Sequence, residues 1–233
     1  MSTNPNGVTR KPRLLDLFCC QGGAGQGYAN AGFEVVGVDI DPQPRYPFKF
    51  HQADAIEFFK NHAHEFDAWH ASPPCQAHTN AQKIQGRFHV DLIPPTRRMF
   101  EDANRDRVRH GYKPVPWVIE NVPGAPLIDP VELCGAMFGI ETYRHRLFEV
   151  GGDWGFMAPI HPDHVARTTK MGRKPVEGEY MHVVGNFSGV DKAREVMEMP
   201  WASRDGLREA IPPAYTEYIG GRMIRQLEVE VAA

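Results

Sequence analysis

Residues 13–39 decide the fold: Arg13-Leu14-Leu15-Asp16-Leu17-Phe18, then Cys19-Cys20-Gln21-Gly22-Gly23-Ala24-Gly25-Gln26-Gly27, then Tyr28-Ala29-Asn30-Ala31-Gly32, then Phe33-Glu34-Val35-Val36-Gly37-Val38-Asp39. The first run is short and apolar and gives way to a glycine-rich turn. A helix opens at Tyr28–Ala31 and Gly32 ends it, while Phe33–Asp39 is β-branched enough for a second buried strand. This is a βαβ unit.

The alternation continues outward from there. Ala55–His62 reads as a helix, and Phe66–Ala71 as a strand running into Ser72-Pro73-Pro74-Cys75. Pro116–Val122 is a further strand. Arg144–Val150 is another, opened by two arginines two residues apart and therefore on one face. The expected fold class is α/β, a mostly parallel sheet flanked by helices. Its strands end in polar residues at their carboxyl ends, the edge where open parallel sheets bind ligands. Residues 1–12 read as a loose tail, 13–150 as the main domain and 151–188 as an irregular insertion. Residues 189–233 read as C-terminal helices, over 189–210 and Ala214–Gln226.

Composition narrows the function. With 233 residues, 42% hydrophobic and 24% charged, the chain has enough apolar material for one good-sized core. A net charge of −3 excludes a uniformly basic coat, so a nucleic-acid partner needs a local patch. Residues 83–113 supply one: Lys83, Arg87, Arg97, Arg98, Arg105, Arg107, Arg109 and Lys113 stand against four acids. Its alternative reading is a solvated helical face. Arg167, Lys170, Arg173 and Lys174 add a second basic group in the insertion. No stretch approaches the ~20 apolar residues of a membrane span and the N-terminus lacks the apolar run of a signal peptide, so the expected location is the cytoplasm. The four cysteines, Cys19, Cys20, Cys75 and Cys134, form no CxxC pair, and the eleven histidines form no HExxH. No metal is expected.

The residues that carry chemistry sit at the strand ends. The glycine turn fails the strict dinucleotide fingerprint because Tyr28 stands where the last glycine is needed, which leaves an adenosyl ligand or a merely tight turn. Asp39 ends the next strand, where a carboxylate can accept both ribose hydroxyls. Asp54 is either a third polar contact or the N-cap of the following helix. Two prolines restrict the backbone just before Cys75, which is either a small buried hydrophobe or a nucleophile presented at the sheet edge. A thiol of pKa ~8.5 needs a helix N-terminus or nearby arginines to attack near neutral pH, and Arg144 and Arg146 are the candidates. Glu120, ending an apolar strand, is costly unless paired or ligand-facing. Its readings are a salt bridge to one of those arginines, or a hydrogen-bonding proton donor.

Taken in order, Asp16–Gly23, Pro73-Pro74-Cys75-Gln76, Glu120-Asn121-Val122 and Arg144-His145-Arg146 resemble the DxFxGxGG, PCQ, ENV and RxR motifs of the DNA (cytosine-5)-methyltransferases. The resemblance covers residues 13–150 well and the remainder loosely. It implies a Rossmann-like S-adenosylmethionine-dependent methyltransferase fold. It places S-adenosyl-L-methionine over Gly22 and Gly23, with its adenine near Phe18, its ribose on Asp39 and its amino group near Asp54. Ile40, Ala55 and Pro74 would flank it. Cys75 would add to C6 of a flipped cytosine, making C5 nucleophilic enough to take the methyl group. Glu120 would hold N3 and the exocyclic amine, and Arg146, less directly Arg144, would contact the base. The implied partner is double-stranded DNA; no membrane and no obligate protein partner is inferred.

The pattern is broken in places. Cys20 stands where the family has Gly, Thr142 replaces the Gln before RxR, and Glu209-Ala210-Ile211-Pro212-Pro213 resembles a late NAVPP-like motif with Glu for Asn. Only residues 151–188 are available for target recognition, which implies short or relaxed sequence specificity. Compact versions of this kind resemble those of bacteriophage or prophage genomes, where self-methylation evades host restriction. The alternatives are a tRNA cytosine C5-methyltransferase, a donor of a group larger than methyl, and a non-catalytic adenosyl- and nucleic-acid-binding protein.

Overall fold

The computed structural model describes residues 2–3, 9–74, 90–170 and 172–232. Seven strands form one sheet: β1 (Arg13–Leu17), β2 (Glu34–Asp39), β3 (Lys49–Gln52), β4 (Ala68–Ala71), β5 (Trp117–Asn121), β6 (Val131–Leu133) and β7 (Arg146–Gly151). Their spatial order is β3-β2-β1-β4-β5-β7-β6. The first five are mutually parallel, and β7 runs antiparallel to both neighbours. The chain winds outward from β1 to β3, then returns to β4 on the other side. The switch point, where a crevice opens, therefore lies between the carboxyl ends of β1 and β4.

Both faces are covered, as a parallel sheet requires. On one, Leu15, Leu17, Val36, Val38, Trp69 and Ile119 pack with Phe59 of α2 (Ala55–His62) and Phe100 of α3 (Ile93–Arg109). On the other, Leu14, Val35, Ala68, Val118 and Phe148 pack with Tyr28 of α1 (Gly23–Ala31) and with Tyr215, Ile219 and Met223 of a long C-terminal helix. Gly27 lets α1 approach that helix closely: a Cβ there would lie 2.1 Å from the Pro213 carbonyl oxygen. A third cluster unites Met181, Val183 and Phe187 with α4 (Val190–Val196) and α5 (Arg204–Glu209), the long helix Pro213–Ala232 being α6. Residues 181–187 thus pack with the helices that follow them.

Several sequence expectations change here. The helix expected over 189–210 is two short helices, broken at Met197–Ser203 by a loop through Pro200. The strand expected from Arg144 begins at Arg146. Strands β3 and β6 and helix α3 were not read from the sequence. The tail is anchored at its end, where the Arg10 guanidinium donates to both oxygens of Asp67 at 2.6 and 2.8 Å.

Arg97, expected to contact phosphate, instead joins α3 to β7. It donates to Glu149 Oε2 at 2.6 Å and to the Pro126 carbonyl at 3.0 Å, while Glu149 also accepts from the Ile128 amide. The two side chains are 13% and 4% exposed, so deleting one strands a buried charge. Arg97→Met is expected to destabilise the fold by about 3–5 kcal/mol, and Arg97→Met with Glu149→Leu to recover most of that. Urea unfolding of the three proteins checks this; equal midpoints for single and double variants would remove the pair from the account.

Candidate active site

The carboxyl ends of β1, β2, β4 and β5 carry the polar residues singled out above. After β1 the chain turns through two non-glycine residues in left-handed conformation, Phe18 at φ 56° and Cys20 at φ 46°, then Gly22 at φ 81°. The glycine of related turns suits the position of Cys20, where a side chain costs roughly 1–2 kcal/mol. Two interactions hold Cys20 there. Its amide donates to Asp39 Oδ2 at 2.9 Å, and its thiol lies 3.4 Å from Glu209 Oε2. Burial first, then the Glu209 charge, pushes that thiol up to about 12, so it stays protonated and donates. Two of the three substitutions that break the motif pattern, Cys20 and Glu209, therefore touch each other.

Asp39 also accepts from the Asp41 amide at 3.0 Å, which fixes the carboxylate at the end of β2. Ile40 beside it is 66% exposed, an apolar side chain left in solvent next to an ordered acid. Phe18 packs partly buried against the core. Asp54 takes the N-cap reading, accepting from the Glu57 amide at 2.9 Å. Ala55 is buried in the core, so its side chain is turned away from solvent. Pro74 is exposed at the same edge. Cys75, Lys83 and Arg87 lie outside the described residues.

Glu120 is buried, and its Oε1 lies 3.0 Å from Arg146 Nε. This is an ion-pair distance without hydrogen-bond alignment, since that oxygen has no aligned donor among the described residues. Desolvation raises its pKa despite the opposing pull of Arg146, Arg144 and a hydrogen bond from Ser72. The salt bridge expected as one reading is present, to Arg146. Arg144 plays a different part. Its guanidinium donates to the carbonyls of Ala210 (2.8 Å), Val183 (2.6 Å) and Arg208 (2.6 Å), and its own carbonyl accepts from Tyr215. It clamps the C-terminal segment to the sheet, and the expectation that it contacts a base is replaced by that role.

Sequence reading missed the polar row behind Glu120. Asp16 pairs in register with His70, and His70 with Val118, so all three sheet positions share one buried face with Glu120 two residues on. His70 Nδ1 lies 3.0 Å from Tyr28 Oη, and its Nε2 lies 2.9 Å from Ser72 Oγ. Burial lowers His70 to about 3 and raises Tyr28 well above its usual value, so the ring is neutral and the phenol keeps its proton. If Ser72 donates to the Glu120 carboxylate, its oxygen accepts from His70 Nε2–H, and Nδ1 accepts from Tyr28. The chain of donors then ends on Glu120. Asn121 completes the edge by donating to the Pro73 carbonyl at 3.0 Å, tying β5 to the proline turn.

The basic residues of the insertion, Arg167, Lys170, Arg173 and Lys174, are exposed. Arg173 donates to both oxygens of Glu179, at 2.5 and 2.8 Å. Arg98 on α3 is exposed as well. Among the described residues no helix is long and apolar enough to cross a membrane.

Asp16 gives a pH test of this buried row. Burial pushes its carboxyl from the usual 3.8 up to about 7; Tyr46 donates to Oδ2 at 3.1 Å, while Oδ1 has no hydrogen-bond partner among the described residues. The folded state therefore holds a proton that the unfolded chain releases above pH 3.8. This contribution is complete below about pH 4 and lost as pH rises through 7, at most ~4 kcal/mol. Asp16→Asn should flatten that limb of the stability profile, read from urea midpoints between pH 4 and 8. Parallel profiles for the two proteins would show that Asp16 is ionised in the fold.

No protein-family model matches the chain. The type II methyltransferase M.XorII of Xanthomonas oryzae pv. oryzae is 23% identical over 258 residues, covering 91% of this chain and 54% of that protein. The chain thus spans about half the length of this curated relative. Among solved structures, one described as a DNA modification methyltransferase encoded within a prophage (E. coli) superposes with a TM-score of 0.59 at 16% identity, over 93% of this chain and 99% of that one. The S. pombe Dnmt2 methyltransferase gives 0.56 at 14% identity, covering 93% and 99%. The Entamoeba histolytica methyltransferase EhMeth gives 0.60 at 12%, covering 94% and 99%. The chain has the fold of these methyltransferases, and the methyltransferase resemblance first carried by four short motifs agrees with the proteins it is similar to.

Proposed function

We propose that the chain transfers a methyl group from S-adenosyl-L-methionine to C5 of cytosine in double-stranded DNA, with Cys75 as the transient nucleophile at C6. The observation that carries this reading is Glu120: a buried acid with a raised pKa at the carboxyl end of β5, joined through Ser72 and through the Asn121–Pro73 bond to the turn that leads into Cys75. An acid there suits protonation and hydrogen bonding of a ring nitrogen, which draws electron density from the ring and favours thiolate addition at the adjacent carbon. C5 is otherwise a poor nucleophile, and the adduct divides one hard step into two easier ones. Loss of the C5 proton and departure of the thiolate complete the turnover.

The residues present fit the cofactor. A bare glycine backbone at Gly22–Gly23, an ordered carboxylate at Asp39 and an exposed apolar side chain at Ile40 match a polar tail, a ribose and an adenine in turn. The cofactor supplies an electrophilic methyl on sulfonium. Arg146 would hold Glu120 in place until a base enters and shares it. Residues 13–150 are proposed to carry the cofactor and chemistry, residues 151–188 a reduced recognition segment and residues 189–233 helices that complete the catalytic domain. Arg98, Arg167, Lys170 and Lys174 are the described cations proposed to meet phosphates. A cytoplasmic, restriction-modification or bacteriophage setting is consistent with the prophage neighbour.

Incubation with duplex DNA containing 5-fluorocytosine and labelled cofactor should give a protein–DNA adduct that survives denaturation. Cys75→Ser should form none, and Glu120→Gln should lower turnover by ~10²–10⁴-fold while retaining cofactor binding. An adduct with tRNA alone would move the substrate to RNA, cofactor binding without turnover on either would leave the binding-protein reading, and full activity in Cys75→Ser would refute the covalent route.

A further inference from the structure

We infer that Cys134, His145, His161 and His164 form a structural zinc site that fastens the insertion to the sheet. Their four donor atoms all lie within 4.8 Å of one another. His145 Nε2 stands 3.2 Å from His161 Nε2, and Cys134 Sγ stands 3.3 Å from His164 Nε2. Zinc bonds of 2.0–2.1 Å to nitrogen and 2.3 Å to sulfur, set at the corners of a tetrahedron, separate neighbouring donors by about 3.3–3.6 Å. One thiolate with three imidazoles is a donor set that zinc accepts. All four positions are filled by protein, which marks a structural rather than a catalytic centre. On binding, the Cys134 thiol releases its proton to solvent and the three rings bind as neutral imidazoles.

A second observation points the same way. The stretch 157–165 that brings His161 and His164 buries almost nothing of its own: Met157, Ile160 and Val165 are 84%, 95% and 90% exposed, and the apolar packing stops before it, at Trp154 and Phe156. Yet it is held in a defined place. The His164 ring stacks on Tyr143 with centroids 3.6 Å apart, and the Tyr143 hydroxyl donates to the Ala166 carbonyl and accepts from its amide. Glu132 Oε1, 4.0 Å from His145 Nε2, adds negative charge beside a prospective cation. Cys134 follows β6, His145 lies between Arg144 and Arg146, and the remaining two ligands come from the insertion. A metal there would lock the insertion against the strand that carries the Glu120 partner. The inference does not depend on the proposed methyl transfer.

The test uses the full chain, stripped with chelator and titrated with cobalt(II), then zinc(II). One equivalent of cobalt should give the intense visible bands of a tetrahedral ion and a thiolate-to-metal charge-transfer band, and zinc should displace it. Cys134→Ser should lose the charge-transfer band. His161→Ala, at an exposed position that does not threaten folding, should weaken affinity by ~100-fold or more, beyond the cost of losing an outer-sphere partner. Chelator should speed protease cleavage within residues 152–170, and zinc should slow it. A pale octahedral spectrum, uptake well below one equivalent, a charge-transfer band that persists in Cys134→Ser, or His161→Ala binding as tightly as the parent would each overturn the site.

Discussion

A carboxylate placed in the dry interior of a sheet is stabilised by charge and hydrogen bonds or it takes up a proton, and Glu120 sits at that balance. Desolvation raises its pKa, while Arg146 at 3.0 Å and Ser72 pull it down. The surrounding architecture follows from keeping it there. Ser72 is positioned by His70, which is neutral because it is fully buried, and His70 is met by Tyr28 from α1. A helix on one face of the sheet thus reaches the acid through two side chains of β4 and its end. Loss of any link leaves an unpaired polar atom in a packed interior, where the cost is about 1–3 kcal/mol.

The second arginine of the pair faces the acid, and the first holds the chain that closes the site. Arg144 binds three carbonyls of residues 183–210, and Gln21 on the glycine turn grips the same region from the other side. Its amide donates to Ser203 Oγ, its oxygen accepts from the Ser203 amide, and its carbonyl accepts from Trp201. Turn and C-terminal segment therefore fix each other. Within this joint Cys20 and Glu209 meet, so the strain of a side chain in left-handed backbone is accompanied by a contact that glycine and asparagine would not make.

The sheet was legible in the sequence because its strands are apolar runs closed by polar residues, a local pattern in β1, β2, β4 and β5. The glycine turn, Asp39 and Glu120 were legible for the same reason. β3 and β6 were not, being short and half-polar: Lys49–Gln52 and Val131–Leu133 hold together by pairing with neighbours rather than by pattern. Charge alone misassigned Arg97, since its partner Glu149 lies 52 residues away and only the fold brings them together. Arg144 misled for a similar reason: two arginines on one strand face look equivalent until one of them is seen to precede the strand and turn to the carbonyls.

The cysteine–histidine cluster shows the limit of spacing as a guide. Only His161 and His164 are near in sequence; Cys134 lies 11 residues before His145 and on a different strand end. Such a set has no local signature because each ligand is delivered by a separate piece of the fold: the end of β6, the approach to β7 and the insertion. That distribution gives a cross-link its use. The stretch 157–165, with Met157, Ile160 and Val165 in solvent, is not ordered by hydrophobic burial of its own, and small units in that position need a covalent or metal tie. The tie falls between two arginines of opposite duties, so whatever orders the insertion also sets the approach of Arg146 to Glu120.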